Sequence, residues 1–133
     1  VSYVITFHLA AHSSLPPYVQ LVEQVRQALL NGVLRPGDRL PTVKEVVGSL
    51  AINPNTVLKA YRDLEREGLV EGRQGVGTFV RRRPDGPPPN EQAALRRSLA
   101  SWVAKAQRAG LADGDIESMV RSVLASGSAE AIA

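Results

Sequence analysis

Asn55, Lys59, Arg62 and Arg66 stand at i, i+4, i+7 and i+11, the spacing of one helix face. An amide can pair bidentately with an adenine edge, and Lys or Arg can reach guanine or a phosphate oxygen. Covalent and metal chemistry have less to work with. There is no cysteine, hence no disulfide and no thiolate metal site. His8 and His12 stand four apart, but Ala10, Ala11, Ser13 and Ser14 around them supply no third ligand, so no metal is expected. Gly72 to Gly77 lacks the Lys-Ser/Thr of a phosphate-cradling P-loop. No nucleophile is matched with a base. The expectation is a binding protein without a cofactor, not an enzyme. Taken alone, the polar stripe also fits a merely solvated helix face.

The flanking residues favour the binding reading. Asn53 can cap a helix whose first position is Pro54, where a missing N–H costs nothing. Val57, Tyr61 and Leu64 then form a buried stripe roughly opposite the polar one. Upstream, Thr42 and Glu45 have the spacing of a capping box ahead of Val46, Val47 and Leu50. That helix is short, since Gly48 weakens it and Ala51-Ile52 leads straight into Asn53. Two short helices joined by a tight turn make a helix-turn-helix. Downstream, Gly68 ends the second helix, Leu69-Val70 begins a strand, Glu71 to Gly77 makes a turn and Thr78 to Val80 returns. Gly75 and Gly77 allow positive φ at the tip of this hairpin wing, where Arg73 and Gln74 can meet phosphate or the minor groove. Arg39-Leu40 is placed to pair with the wing as a third short strand.

Several motifs in order resemble the DNA-binding domain of GntR-type bacterial transcription regulators. They are Pro17-Tyr18-Val19-Gln20-Leu21, Gly32 to Thr42, the Asn53-Pro54-Asn55-Thr56 helix start, and Gly75-Val76-Gly77-Thr78-Phe79-Val80. The resemblance covers roughly residues 16 to 80. The helix start with Lys59-Ala60-Tyr61 is similar to the YtrA-type branch and to the aminotransferase-fused MocR-type branch; only the first fits the chain length. The resemblance implies a dimeric regulator joined through a short C-terminal helical region, often repressing transporter operons. It also implies groove contacts at Asn53, Asn55 and Thr56. Lys44 takes the early basic position of the first helix, where Arg is common and a bidentate fork is lost. Leu58 stands where other branches carry Arg, so Lys59 supplies the cation. The candidate DNA contacts are thus Thr42, Lys44, Asn53, Asn55, Thr56, Lys59, Arg62, Arg73, Gln74 and Gly75.

The chain has 133 residues and net charge +3. Residues 1–80 hold eight Lys/Arg against seven Asp/Glu, so the excess comes from Arg81-Arg82-Arg83 beside the wing. For DNA binding, Glu23, Glu45, Asp63, Glu65 and Glu67 must turn away from the groove face. No apolar run approaches the roughly 20 residues that span a membrane, and no basic-then-apolar leader is visible. A cytoplasmic bacterial protein with no membrane partner is expected.

The rest of the chain suggests how two copies meet. Val1 to Leu9 is rich in β-formers and reads as an extended arm or short strand. A helix over about Pro17 to Asn31 buries Tyr18, Leu21, Val22, Val25, Ala28 and Leu29. Pro84 to Pro89 reads as a stiff extended linker. Asn90 is expected to cap a helix with Leu95, Leu99, Trp102, Val103 and Ala106 on one face, ended by Gly110. A last helix carries Ile116, Met119, Val120, Val123 and Leu124, and Gly127 is expected to end it. Two such helices cannot bury their apolar faces on each other alone. They either fold back on the head or self-associate, and the proline linker favours self-association.

The expected fold is therefore mostly α with a small β-wing. Residues 1–83 form the winged helix-turn-helix with an arm over 1–15, residues 84–89 the linker, and residues 90–133 a helical dimerisation region. Leu95, Leu99, Trp102, Val103, Ile116, Met119, Val120 and Val123 are its expected interface. The expected function is regulation of transcription, with repression favoured, by a homodimer on a palindromic double-stranded DNA operator. The alternative is a winged helix that binds proteins, which predicts hydrophobic residues at positions 55, 59 and 62. A small-molecule effector is compatible with the sequence, which identifies none.

Overall fold

The computed structural model describes residues 5–11 and 13–132. Val1 to Val4 of the expected arm, and His12 of the histidine pair, lie outside the described residues. The elements are α1 (Pro17–Leu30), α2 (Val43–Leu50), α3 (Pro54–Arg66), β1 (Val70–Arg73), β2 (Gly77–Val80), α4 (Pro89–Arg108) and α5 (Asp113–Ile132). The chain divides into two compact units, the first through Gln92 and the second from Ala93.

In the first unit, the α2–α3 corner forms as its capping residues dictate. Thr42 accepts the Glu45 N–H and the Glu45 side chain accepts the Thr42 N–H, completing a capping box. Asn53 Oδ1 accepts the Asn55 N–H at 2.8 Å, and Pro54 opens α3. Between the helices Ala51 adopts the left-handed conformation, φ 53° and ψ 45°. A Cβ there costs roughly 1–2 kcal/mol, which the packing on both sides must offset.

Leu21, Val25 and Leu29 from α1 meet Val46 of α2 and Val57, Ala60, Tyr61 and Leu64 of α3 in one core, closed by Leu34, Leu40, Leu69, Val70 and Val80. The Tyr61 hydroxyl donates to the Pro41 carbonyl, so this buried ring keeps its polar atom bonded.

The wing is a two-stranded antiparallel hairpin in which Val70 faces Val80 and Arg73 faces Gly77. Strand β1 thus runs three residues further than the sequence suggests. The turn shrinks to Gln74-Gly75-Val76, closed by a Val76 N–H to Arg73 carbonyl bond of 3.0 Å. Gly75 takes the positive φ, 76°, that a turn this tight requires. The third strand is realised as a single bridge between Arg39 and Phe79, flanked by Leu40 N–H to Thr78 and Val80 N–H to Asp38 bonds.

The arm enters the core. Ile5 and Phe7 are buried, with the Phe7 ring centroid 6.5 Å from that of Tyr61. No strand pairs with the described part of the arm. Instead Gln24 accepts the His8 N–H and donates to the His8 carbonyl, while Gln20 accepts the Ala10 N–H and donates to the Leu15 carbonyl. Two amides one helical turn apart bond backbone groups two residues apart on an extended chain.

The Pro-rich stretch does not hang free. Pro84 is buried, Arg83 donates to the Leu30 and Pro87 carbonyls, and a Cβ at Gly86 would lie 2.9 Å from Leu30 Cδ2. The segment lies against the C-terminal end of α1 because the last α1 carbonyls, unpaired by the helix itself, need donors. Asn90 does not cap α4: Pro89 takes the first helical position instead, and Gln92 N–H bonds the Pro88 carbonyl.

The second unit consists of two helices, α4 and α5, joined by a short turn. Leu111 N–H bonds the Ala106 carbonyl, closing the end of α4, and across the turn Gln107 donates to Asp113 Oδ1 at 3.1 Å. Ala106 and Ile116 are buried in it. Ile116 therefore does not offer its surface to a second chain, contrary to the sequence reading, and Val103 is half-buried. Leu95, Leu99, Trp102, Met119, Val120 and Val123 remain exposed. Helix α5 also continues through Gly127, which a helix interior tolerates at a cost of only about 1 kcal/mol. No described helix is long and apolar enough to cross a membrane.

Candidate nucleic-acid interface

The polar face of α3 is presented as its spacing requires. Asn55, Lys59, Arg62, Asp63 and Arg66 line one open concavity of about 410 Å³. Asn55, Lys59, Arg62 and Arg66 are exposed, while Val57, Ala60 and Leu64 on the far side are fully buried. Asn53 spends its Oδ1 on the helix cap and keeps its amide N–H donors. Thr56 is half-buried at the edge of this face. Lys59 is oriented by α1: its Nζ sits 4.0 Å from the centre of the Tyr18 ring, a cation–π contact.

A second concavity, about 560 Å³, lies at the wing and gathers Thr42, Arg73, Gln74 and Gly75 with Arg39 and Glu65. Gln74 is exposed at the turn. Arg73 lies 4.6 Å from the Phe79 ring and 3.6 Å from a Glu71 carboxylate oxygen, so it is stacked and partly neutralised. Lys44 is exposed on the first turn of α2.

Two readings need correction. The Thr42 hydroxyl donates to Glu45 Oε1 at 2.8 Å while accepting the Glu45 N–H, so it holds α2 and is not free for a ligand. Asp63 and Glu65 do not turn away. Asp63 lines the α3 concavity in an ion pair with Arg66 at 3.2 Å, and Glu65 lines the wing concavity. Within the basic run after the wing, Arg82 donates to the Glu67 carbonyl, capping the end of α3, while Glu67 also pairs with Arg26.

Sequence reasoning passed over Arg39, which the bridge to Phe79 carries into the wing concavity. Its own type gave no hint. The signal lay in the pairing of its segment with β2. Among the described residues no group of His, Cys, Asp or Glu could hold a metal ion.

A capped helix with an amide-and-cation face, set beside a glycine-tipped hairpin, defines the winged helix-turn-helix class of DNA-binding domain. The bacterial regulatory proteins of the gntR family match residues 6–80. The chain belongs to the GntR family, and within it to the YtrA type. It is 47% identical over 68 residues to the HTH-type transcriptional repressor YtrA of Bacillus subtilis, a match covering 51% of this chain and 52% of that repressor. The chain thus spans about half the length of that relative. The crystal structure of a transcriptional antiterminator from Listeria monocytogenes EGD-e is 28% identical, with a TM-score of 0.56 and 89% of each chain covered. The DNA-binding domain of AraR in complex with operator ORX1 is 29% identical, with a TM-score of 0.50, and covers 60% of this chain and 99% of that domain.

Proposed function

We propose that this protein is a homodimeric, sequence-specific transcriptional repressor that binds a palindromic operator and catalyses no reaction. The observation that carries the reading is the exposed row of Asn55, Lys59, Arg62 and Arg66 on a helix capped and packed to present it. Helix α3 enters the major groove, where Asn55 and Arg62 read base edges, and Lys44 and Lys59 meet phosphates. The wing tip at Gln74 and Gly75 reaches the neighbouring minor groove. The operator complex of the AraR domain supports this use of the fold.

One head reads a few base pairs, and two heads on a two-fold axis read an inverted repeat. The exposed apolar residues of α4 and α5, with Trp102 among them, support those two helices as the joint between protomers. The protein works where the bacterial chromosome is, in the cytoplasm.

Selection from a random duplex pool, followed by titration of the recovered site, tests the reading. An inverted-repeat consensus is expected, with affinity falling by orders of magnitude between about 50 and 200 mM salt. Recovery of no consensus, together with salt-independent binding, would overturn it.

A further inference from the structure

We propose that Arg39 is a further DNA-contacting residue, a phosphate anchor at the base of the wing. The proposal rests on the duplex-DNA reading above. It does not follow from the helix-turn-helix, because Arg39 lies outside both helices, on the segment bridged to Phe79.

Three observations converge on it. Arg39 is exposed and lines the concavity of about 560 Å³ that also holds Gln74 and Gly75 of the wing turn. Its guanidinium lies against the β2 backbone: a Cβ at Gly77 would fall 2.8 Å from Arg39 Nε and 3.3 Å from Cζ and Nη2. Glycine at 77 thus leaves the space the guanidinium occupies. Finally, Arg39 makes no hydrogen bond or ion pair among the described residues.

Its neighbours in the concavity are already engaged. Arg73 stacks on Phe79 and approaches Glu71, while the Glu65 carboxylate takes the Gly72 N–H at 2.9 Å. Arg39 is the cation there that pairs with no carboxylate among the described residues. A guanidinium carries five N–H donors in a planar fork that matches phosphate oxygens. A sugar-phosphate backbone seated in that concavity would lie within reach of the fork. The contact is to phosphate and carries no sequence information of its own.

The test is a titration of the full chain with the selected operator and with an unrelated duplex, at salt between about 50 and 200 mM. Arg39→Gln should weaken both duplexes by the same factor, about three- to tenfold at low salt, and lower the salt slope by about one. Arg39→Lys should restore most of the loss. Arg39→Met, which keeps the apolar stem, should behave like Arg39→Gln, separating lost charge from lost packing. Melting curves accompany each variant. Unchanged affinity and slope in both Arg39→Gln and Arg39→Met would overturn the assignment, as would a loss confined to the operator. Asn55→Ala serves as the control: if it relaxes operator choice while the Arg39 variants do nothing, the duplex-DNA reading stands and the anchor falls. A full chain that binds neither duplex overturns both.

Discussion

The Glu65 carboxylate on α3 accepts the backbone N–H of Gly72 in the wing at 2.9 Å. One side chain thus ties the helix proposed to read bases to the strand that leads to the wing tip. A Cβ at Gly72 would already touch that carboxylate at 3.4 Å. Removing the carboxylate should loosen the wing without unfolding the head. In Glu65→Ala the Gly72 amide should exchange about five- to tenfold faster, the equivalent of roughly 1 kcal/mol. Exchange measured by NMR checks this, and an unchanged Gly72 rate would mean the bond does not hold the wing.

Base readers and phosphate contacts should separate by kind. Asn55→Ala should relax choice at one operator position and cost about 1–3 kcal/mol. Arg81→Ala should weaken every duplex alike. Arg81 is the sounder comparison than Arg82, because Arg82 also bonds the Glu67 carbonyl at the end of α3. Binding of a panel of single-base operator variants by both proteins decides the matter.

The arm should matter to stability. Phe7 is buried against the core, so Phe7→Ala should destabilise the head by about 3–5 kcal/mol. Denaturant melts of the two proteins measure it. A loss below about 1 kcal/mol would show that the arm is an ornament of the core.

Dimerisation should reside after Gln92. A chain ending there keeps Pro84 and the Gly86–Leu30 contact, which a cut after Arg83 would remove. It should sediment as a folded monomer and bind the operator about 10²–10⁴-fold more weakly than the full chain. Trp102→Ala in the full chain should shift the equilibrium the same way, since a large exposed aromatic is the best candidate for an interface anchor. A dimeric truncated chain would move the interface elsewhere.

The strained corner should respond to glycine. Ala51 holds φ 53°, so Ala51→Gly should raise stability by about 1 kcal/mol, read as a higher melting midpoint. A lower midpoint would show that the methyl group packs usefully there.

Much of the head was legible in the sequence because its signals are local. Asn53-Pro54, Thr42 with Glu45, and the Val57–Tyr61–Leu64 stripe each act within a few residues, and each formed as read. What escaped depends on long-range contact. Ile5 and Phe7 become core only because Gln20 and Gln24, more than ten residues on, hold the arm in place. The pairing of Arg39-Leu40 with the wing was read, but not that it carries the Arg39 side chain into the wing concavity. Thr42 was over-read for the opposite reason, because its capping role already uses the hydroxyl. Ile116 likewise had an intrachain use that its helical spacing could not reveal. Gly127 and Asn90 show a third failure: a preferred end residue does not end a helix whose neighbours can continue it.

The two-glutamine clasp on the arm changes what counts as a transplantable module. An engineer who excised the reading head at the start of α1, to graft it onto another oligomeriser, would discard Ile5 and Phe7 and leave Gln20, now buried, without its partner Ala10. The smallest portable head begins no later than Ile5, and a swap that respects only the visible helices would carry its own lesion.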